Sequence, residues 1–282
     1  MTLDNLISAT SRTVVLFSVV LASAFLIVPL GVLALMSFSD SRFLIFPPPR
    51  LSLRWYVEYF SDPAWMQATT VSLSLAAIVS VVSTGIGLCA AVAFKRSKLA
   101  GLGALQAVML SPLFVPTIIM AVGLYSVYSV LKLNGTMLGL VFGHLVLAIP
   151  YSMVTIGTAL AEFDERLEQA AQGLGASPLR AFRHVTLPAI SSGVITSLLF
   201  TFLISFDEVV LAVFLSSPTT STISKLMWDG IRFDLNPTIA AVSTLITGFS
   251  WVIMFVGLLV KGAIDKRRKS LLASRSLEES AI

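Results

Sequence analysis

Residues 162–188 read EFDERLEQAAQGLGASPLRAFRHVTLP, the longest charge-rich interval in an otherwise apolar chain. Four acids (Glu162, Asp164, Glu165, Glu168) and three arginines (Arg166, Arg180, Arg183) stand between long apolar runs, which puts the segment in water between two membrane spans. Leu167, Ala170, Ala171 and Leu174 fall at i, i+3, i+4 and i+7, one narrow face of a short helix. Gly173 and Gly175 follow, and either supplies a positive-φ turn. Ser177-Pro178 restarts a helix with Ser as N-cap and Pro at the first helical position. Leu179 and Phe182 give this second helix an apolar side, and Leu187-Pro188 closes the unit. The spacing predicts a compact helix–turn–helix on a membrane surface that presents small and apolar side chains. It either packs on its own spans or docks a soluble partner.

Working outward, the composition fixes the class of protein. The chain of 282 residues is 56% hydrophobic and 12% charged, against about 25% charged in a typical soluble domain. Runs free of Asp, Glu, Lys and Arg cover 13–39, 63–94, 99–131, 133–161, 185–206 and 235–260. Each is long enough for a span of about 20 residues. The expected fold class is all-α, a polytopic membrane protein with six transmembrane helices. The fifth span is expected to run on through Asp207-Glu208 to Leu215, and the sixth to end near Val260. The expected division is 1–62 (first span and external loop), 63–263 (a five-span core that includes 162–188) and 264–282 (a basic tail, frayed from Ser270). Gly85-Ile86-Gly87 and Gly139 to Gly143 offer close helix approach. The first run is too long for a signal peptide's apolar region and reads as a retained span.

Lys and Arg set the orientation. With both termini on the side of the 162–188 loop, that side carries 13 of the 19 basic residues. The positive-inside rule makes it cytoplasmic. The net charge of +4 therefore needs no nucleic-acid explanation.

The remaining landmarks are local. Pro29 is a tolerated kink in the first span. Ser52 caps a short helix over 53–60, and Trp55, Tyr56, Tyr59, Phe60 and Trp65 suit a helix at the outer headgroups. Asp62-Pro63 is a helix start. Pro112 and Pro116 bend span three. His144 is the only ionisable group of span four, expected to hydrogen-bond within the bundle, and Pro150 kinks that helix. Residues 216–236 form a polar external segment with Trp228 and Phe233 as interface groups, and Asn236-Pro237 restarts the chain.

Asp207-Glu208 lies about nineteen residues into span five, near the outer face. Carboxylates there are costly unless they face water or a partner. They line a pathway for a cationic solute or cap a broken helix, and Tyr125 joins them as a pathway candidate. The single Cys89 excludes a disulfide within the chain, and no metal-ligand spacing is present. A phosphate-cradling G-x-x-x-x-G-K-[ST] loop is absent, as are nucleophile-elbow and zincin motifs. No catalytic residue is assigned.

Gln169-Ala170-Ala171, three residues, Gly175, nine residues, Val185-Thr186-Leu187-Pro188 resembles the EAA motif of ABC-importer permeases. Gln169 stands where the family has Glu, which removes a charge although Glu168 is adjacent; Val185 replaces Ile. In that family the loop is the coupling helix of the permease, seated in a cleft of the ATPase. The resemblance therefore implies coupling roles for Glu168, Gln169, Ala170, Ala171, Gly175, Leu187 and Pro188. Segments 55–76, 111–125, 200–216 and 224–245 look like the second permease of spermidine/putrescine-type importers, with Val71 at a family Asn.

The type I ABC importer permease fold follows from this resemblance, as does a bacterial inner-membrane location. So do the partners: a paralogous permease, two ATP-binding subunits and a periplasmic binding protein. ATP and Mg sit on those partners, and this chain binds no cofactor. The solute implied is a small cation of the polyamine class. Another small amino compound is the alternative, and a proton-coupled secondary transporter or a membrane scaffold protein stands further off.

Overall fold

The computed structural model describes residues 3–97, 101–233 and 237–279, with side chains described over 12–97, 101–232 and 237–263. Lys98, Asn236 and the side chain of Phe233 lie outside these ranges. The elements are helical throughout: α1 (Leu3–Ser37), α2 (Arg54–Ser61), α3 (Pro63–Arg96), α4 (Leu102–Leu110), α5 (Thr117–Leu131), α6 (Met137–Ala161), α7 (Glu165–Gly173), α8 (Pro178–Ala181), α9 (Leu187–Ala189), α10 (Ser191–Asp207), α11 (Val210–Leu215), α12 (Ile223–Phe233) and α13 (Thr238–Glu279). Four stretches are long and apolar enough to cross a membrane: Arg12–Ser37, Pro63–Arg96, Met137–Ala161 and Thr238–Ala263. Two bent pairs, Leu102–Leu113 with Thr117–Leu131 and Pro178–Ala189 with Ser191–Asp207, raise the count to six when each is taken as one span.

The bend expected at Pro112 and Pro116 is present and sharp. Span three turns by 104° between its halves. Ser111–Leu113 is a 3-10 turn and Pro116 is extended at ψ 128°. A proline cannot donate to the ladder behind it and disfavours helix in the residue before it, so two prolines four apart make a corner instead of a kink. The pair around Ile190 turns by 69°. At the other end α10 stops at Asp207, because Glu208 is extended; the expected run through to Leu215 is broken there. The segment 216–236, read from sequence only as polar, contains the amphipathic helix α12. α13 continues past Val260 to Glu279 instead of fraying. After Gly262 its sequence is rich in Lys, Arg, Leu, Ala and Glu, all good helix formers, with no Pro or Gly to stop it.

The chain has two compact units, residues 1–66 with 229–249 and residues 67–228 with 250–282. In the first, Ser39 pairs with Leu51 across the 40–50 loop. Tyr56 packs on Phe38, ring centroids 5.2 Å apart, and its hydroxyl meets Ser37 Oγ at 2.7 Å. The Ser52 hydroxyl accepts from Arg54 N–H, as expected of a residue starting α2. Trp55, Tyr59 and Trp65 are buried, not laid out as a headgroup belt, while Phe60 remains exposed. Tyr59 and Trp65 face each other at 6.1 Å. Asp62 starts α3 by accepting from Ala64 N–H at 2.8 Å.

The second unit is organised on α6. Thr136 caps it, accepting from Gly139 N–H, and the helix runs through Pro150 without interruption. Its N-terminal half buries Leu140, Val141, Leu145 and Leu147 with Leu75 and Val79 of α3, Tyr128 of α5, and Leu211 and Leu215 of α11. Its other half buries Met153, Ile156 and Leu160 with Ala91 and Ile190. α10 packs along it. Small and hydroxylated residues bring these helices close, as packing in lipid requires. A Cβ on Gly87 would lie 2.2 Å from Ser152 Oγ, whereas nothing lies near Gly85. Ser197 Oγ donates to Ser152 Oγ at 2.8 Å and meets Thr84 Oγ1 at 3.3 Å, joining α3, α6 and α10 through buried hydroxyls. His144 is buried and bonds Ser205 Oγ through Nδ1 at 2.9 Å, the intrabundle partner its position called for.

Candidate functional site

The loop between α6 and α10 folds as two arms around a defined turn. Asp164 caps α7, its carboxylate accepting from Arg166 N–H at 3.0 Å. At the other end Gly175 adopts φ +94°. Ala176 N–H bonds Ala171 O at 3.0 Å and Gly175 N–H bonds Gln172 O at 2.9 Å, the paired bonds of a Schellman stop with glycine in the left-handed position. Of the two candidate glycines, Gly175 makes the turn; Gly173 is still helical. Ser177 then caps α8, accepting from Arg180 N–H, with Pro178 in first place. Phe182–Thr186 is a π-helical turn, a widening common at functional positions. Leu187–Ala189 is one further helical turn before the bend at Ile190.

Burial sorts the predicted residues into two groups. Gln169, Ala170, Gly175 and Pro188 are exposed, and Ala171 and Leu187 are half-buried. Leu174 is 91% exposed and Leu179 75%, and Leu167 is exposed on the same arm as Leu174. Leucines of this exposure on a tightly capped turn are an unfilled apolar surface.

Glu168 is the exception, only 6% exposed. Its Oε2 accepts from Arg96 Nη2 at 2.5 Å and from the Thr186 hydroxyl, and its Oε1 accepts from Gln172 Nε2 at 3.4 Å. The Arg96 guanidinium also lies 5.3 Å over the Phe182 ring. Beside it, Lys95 Nζ pairs with Glu165 at 3.1 Å and donates to Leu160 O. Arg96, Lys95 and Thr186 were not legible as site residues. The signal available was a basic pair ending span two and two acids three apart opening α7.

The pathway candidates separate. Asp207 ends α10 and is exposed. Glu208 turns back on the backbone: its Oε1 accepts from Val210 N–H at 2.7 Å and Leu211 N–H at 3.0 Å, starting α11. Tyr125 is an exposed residue of α5, which packs against α11. Among the described residues no group of three or more His, Cys, Asp or Glu is placed to hold a metal ion.

Comparison with known proteins bears on both regions. The chain is 31% identical over 255 residues to the putrescine transport system permease protein PotI of Escherichia coli K12, covering 88% of this chain and 90% of that one. It is 27% identical over 245 residues to the spermidine/putrescine transport system permease protein PotC of the same strain, covering 87% and 92%. A bacterial ABC transporter structure involved in import of the acidic polysaccharide alginate superposes with a TM-score of 0.68 at 16% identity, over 93% of this chain and 99% of that one. The MetNI methionine ABC transporter, in an inward-facing form, matches at a TM-score of 0.56 and 17% identity, over 72% and 99%. The fold is therefore that of ABC-importer permeases. Residues 83–270 match the family described as binding-protein-dependent transport system inner membrane component, and the chain belongs to that family.

Proposed function

We propose that this chain is a translocation subunit of an ATP-driven importer for a small cationic solute of the polyamine class, and that a separate ATPase docks on loop 162–188. The observation that carries the docking assignment is the exposure of Leu167, Leu174 and Leu179 on a loop capped at Asp164 and Ser177 and turned at Gly175. Apolar surface of this kind gains by burial against a partner at roughly 25 cal/mol per Å². Gln169, Ala170 and Ala171 supply small or uncharged neighbours that let the partner approach, and Gly175 shapes the turn between the arms. Leu187 and Pro188 lead the second arm into α10.

The partners are a paralogous permease, two ATP-binding subunits and an external solute-binding protein. The basic-residue asymmetry supports a cytoplasmic side for the loop and both termini, and the likeness to PotI supports a bacterial inner membrane. The functional division is 1–62, 63–263 and 264–282. The polyamine assignment rests on the likeness to PotI and PotC. In the pathway Asp207 is the carboxylate free to meet a cation, with Tyr125 as an exposed aromatic and Glu208 shaping the bend beside Asp207. A different amino solute is the second reading. It rests on 28% identity over 206 residues to a putative 2-aminoethylphosphonate transport system permease protein of Salmonella typhi, covering 72% of this chain and 78% of that one.

The test is ATPase activity of the affinity-purified complex in lipid, with and without its binding protein loaded with putrescine or spermidine. Copurifying ATPase subunits and stimulation by the loaded binder support the proposal. Stimulation only with another amino solute keeps the importer and removes the polyamine. Uptake driven by a proton gradient with no ATPase partner overturns both.

A further inference from the structure

The chain carries any push on loop 162–188 directly into α6 and α10, the helices at its two ends. A noncovalent tie reaches a third helix. Lys95 and Arg96 are the last two residues of α3. They meet Glu165 and Glu168, three apart on the first turns of α7. Each pair puts basic groups at a helix C-terminus and acids near a helix N-terminus, the signs that helix ends favour.

The two pairs differ in kind. Lys95–Glu165 is open to water, the Glu165 side chain 54% exposed, and exposed pairs contribute little. Arg96–Glu168 has its acid buried: the Glu168 side chain is 8% exposed, while the Arg96 side chain keeps 38% of its surface in contact with solvent. One carboxylate joins α3 through Arg96, α7 through Gln172 and the π-turn through Thr186. The guanidinium rests on Phe182 of the second arm. Both arms of the loop are thus fixed to each other and to α3 at one point, 72 positions apart in sequence. Opening it would leave a buried carboxylate without its cation, which is strongly disfavoured.

We propose that Arg96 and Glu168 form a clamp that stays closed through the transport cycle and passes displacement of the loop to α3. Both are positioning residues. Glu168 is buried and so stands apart from the exposed docking leucines Leu167, Leu174 and Leu179, while Arg96 borders Leu179 in an open cleft with Pro178 and Phe182. The inference rests on the importer reading above and adds α3 to the helices driven by the ATPase.

The experiment measures solute imported per ATP hydrolysed by the full complex in lipid vesicles. Glu168→Gln keeps the side-chain shape and loses the charge; Arg96→Met keeps an apolar stem over Phe182 and loses the guanidinium. Each is expected to lower import per ATP about tenfold, within the range of site-to-site couplings, while ATPase subunits stay bound and hydrolysis continues. In a Cys89→Ser background, Arg96→Cys with Glu168→Cys should show the same loss. Bridging the two thiols with a short bis-methanethiosulfonate should restore import, which a role in folding alone would not produce.

Wild-type import per ATP in both single variants overturns the clamp. So does a bridged complex that hydrolyses without importing, since the tie would then have to open. Release of the ATPase subunits by Glu168→Gln also overturns it, by placing Glu168 in the docking face. A wild-type complex that imports nothing with ATP removes the importer reading itself and the clamp with it, and is thereby distinct from failure of the clamp alone.

Discussion

Glu168 and Glu208 stand near opposite ends of α10, each beside an irregularity in the helical chain. Glu168 accepts from Arg96, Gln172 and Thr186, so it joins three elements brought together only by folding. Glu208 accepts from Val210 and Leu211 N–H, two and three residues ahead, and so closes a local turn. In sequence the two look alike, each an acid with an acidic residue at or near its side. The difference teaches that a carboxylate at a membrane margin takes its role from the donors within reach. Where a basic helix end is nearby it becomes a tie; where only fresh backbone N–H groups are exposed it becomes a cap.

Substitutions at five positions sharpen that contrast. The largest effect is expected at Gly175, which shapes the loop that Glu168 anchors. Gly175→Leu forces an L residue to φ +94°, costing about 1–2 kcal/mol in the left-handed region, and displaces the turn that presents Leu174. ATP-driven uptake should fall by about tenfold or more, on the scale of a site-to-site coupling, while the complex still inserts. Uptake equal to wild type would separate the loop from coupling altogether.

Thr186→Val comes next, because it removes a donor from a buried carboxylate without changing shape. The expected loss is about 2 kcal/mol, read as a lower thermal midpoint of the purified complex. An unchanged midpoint would mean that Arg96 and Gln172 satisfy Glu168 by themselves.

At the Asp207–Glu208 end the effects are smaller. Glu208→Ala removes a cap and should cost about 1 kcal/mol, and Glu208→Asn should recover part of it. If Asn behaves like Ala, the charge and not the cap is what matters there. Asp207→Asn tests the neighbour: apparent affinity for a cationic solute should weaken about fivefold, the scale of about 1 kcal/mol between charges near water. Thermal stability should hold, because Asp207 is exposed. The smallest change is expected for Lys95→Gln, which breaks the open pair with Glu165 at under about 1 kcal/mol. A loss as large as that of Glu168→Gln would show that the two rungs act as one network.

The loop was the most legible part of the molecule. Its capping residues, its period-of-helix apolar face and its glycine turn are local features, and local features are written in neighbouring residues. The spans were legible for the same reason, as long charge-free runs. The corners at 104° and 69° were legible only as prolines or not at all. A proline fixes what the backbone cannot do, while the angle depends on what α6 packs against. The buried placement of Trp55, Tyr59 and Trp65 was hidden, since an aromatic stripe reads the same whether it faces headgroups or other side chains.

The amino-acid sequence by itself determined that this chain crosses a membrane several times, where its water-exposed loop lies, and how that loop caps and turns, because hydropathy and backbone propensity act over a few residues. Tertiary structure alone decided that Arg96 would meet Glu168 and Thr186, that Glu208 would be used on its own backbone, and that Gly87 and not Gly85 would pack closely. Such pairings depend on which helix faces come within a few ångströms of each other. That is settled by how the helices of the second unit pack around α6, not by any one segment.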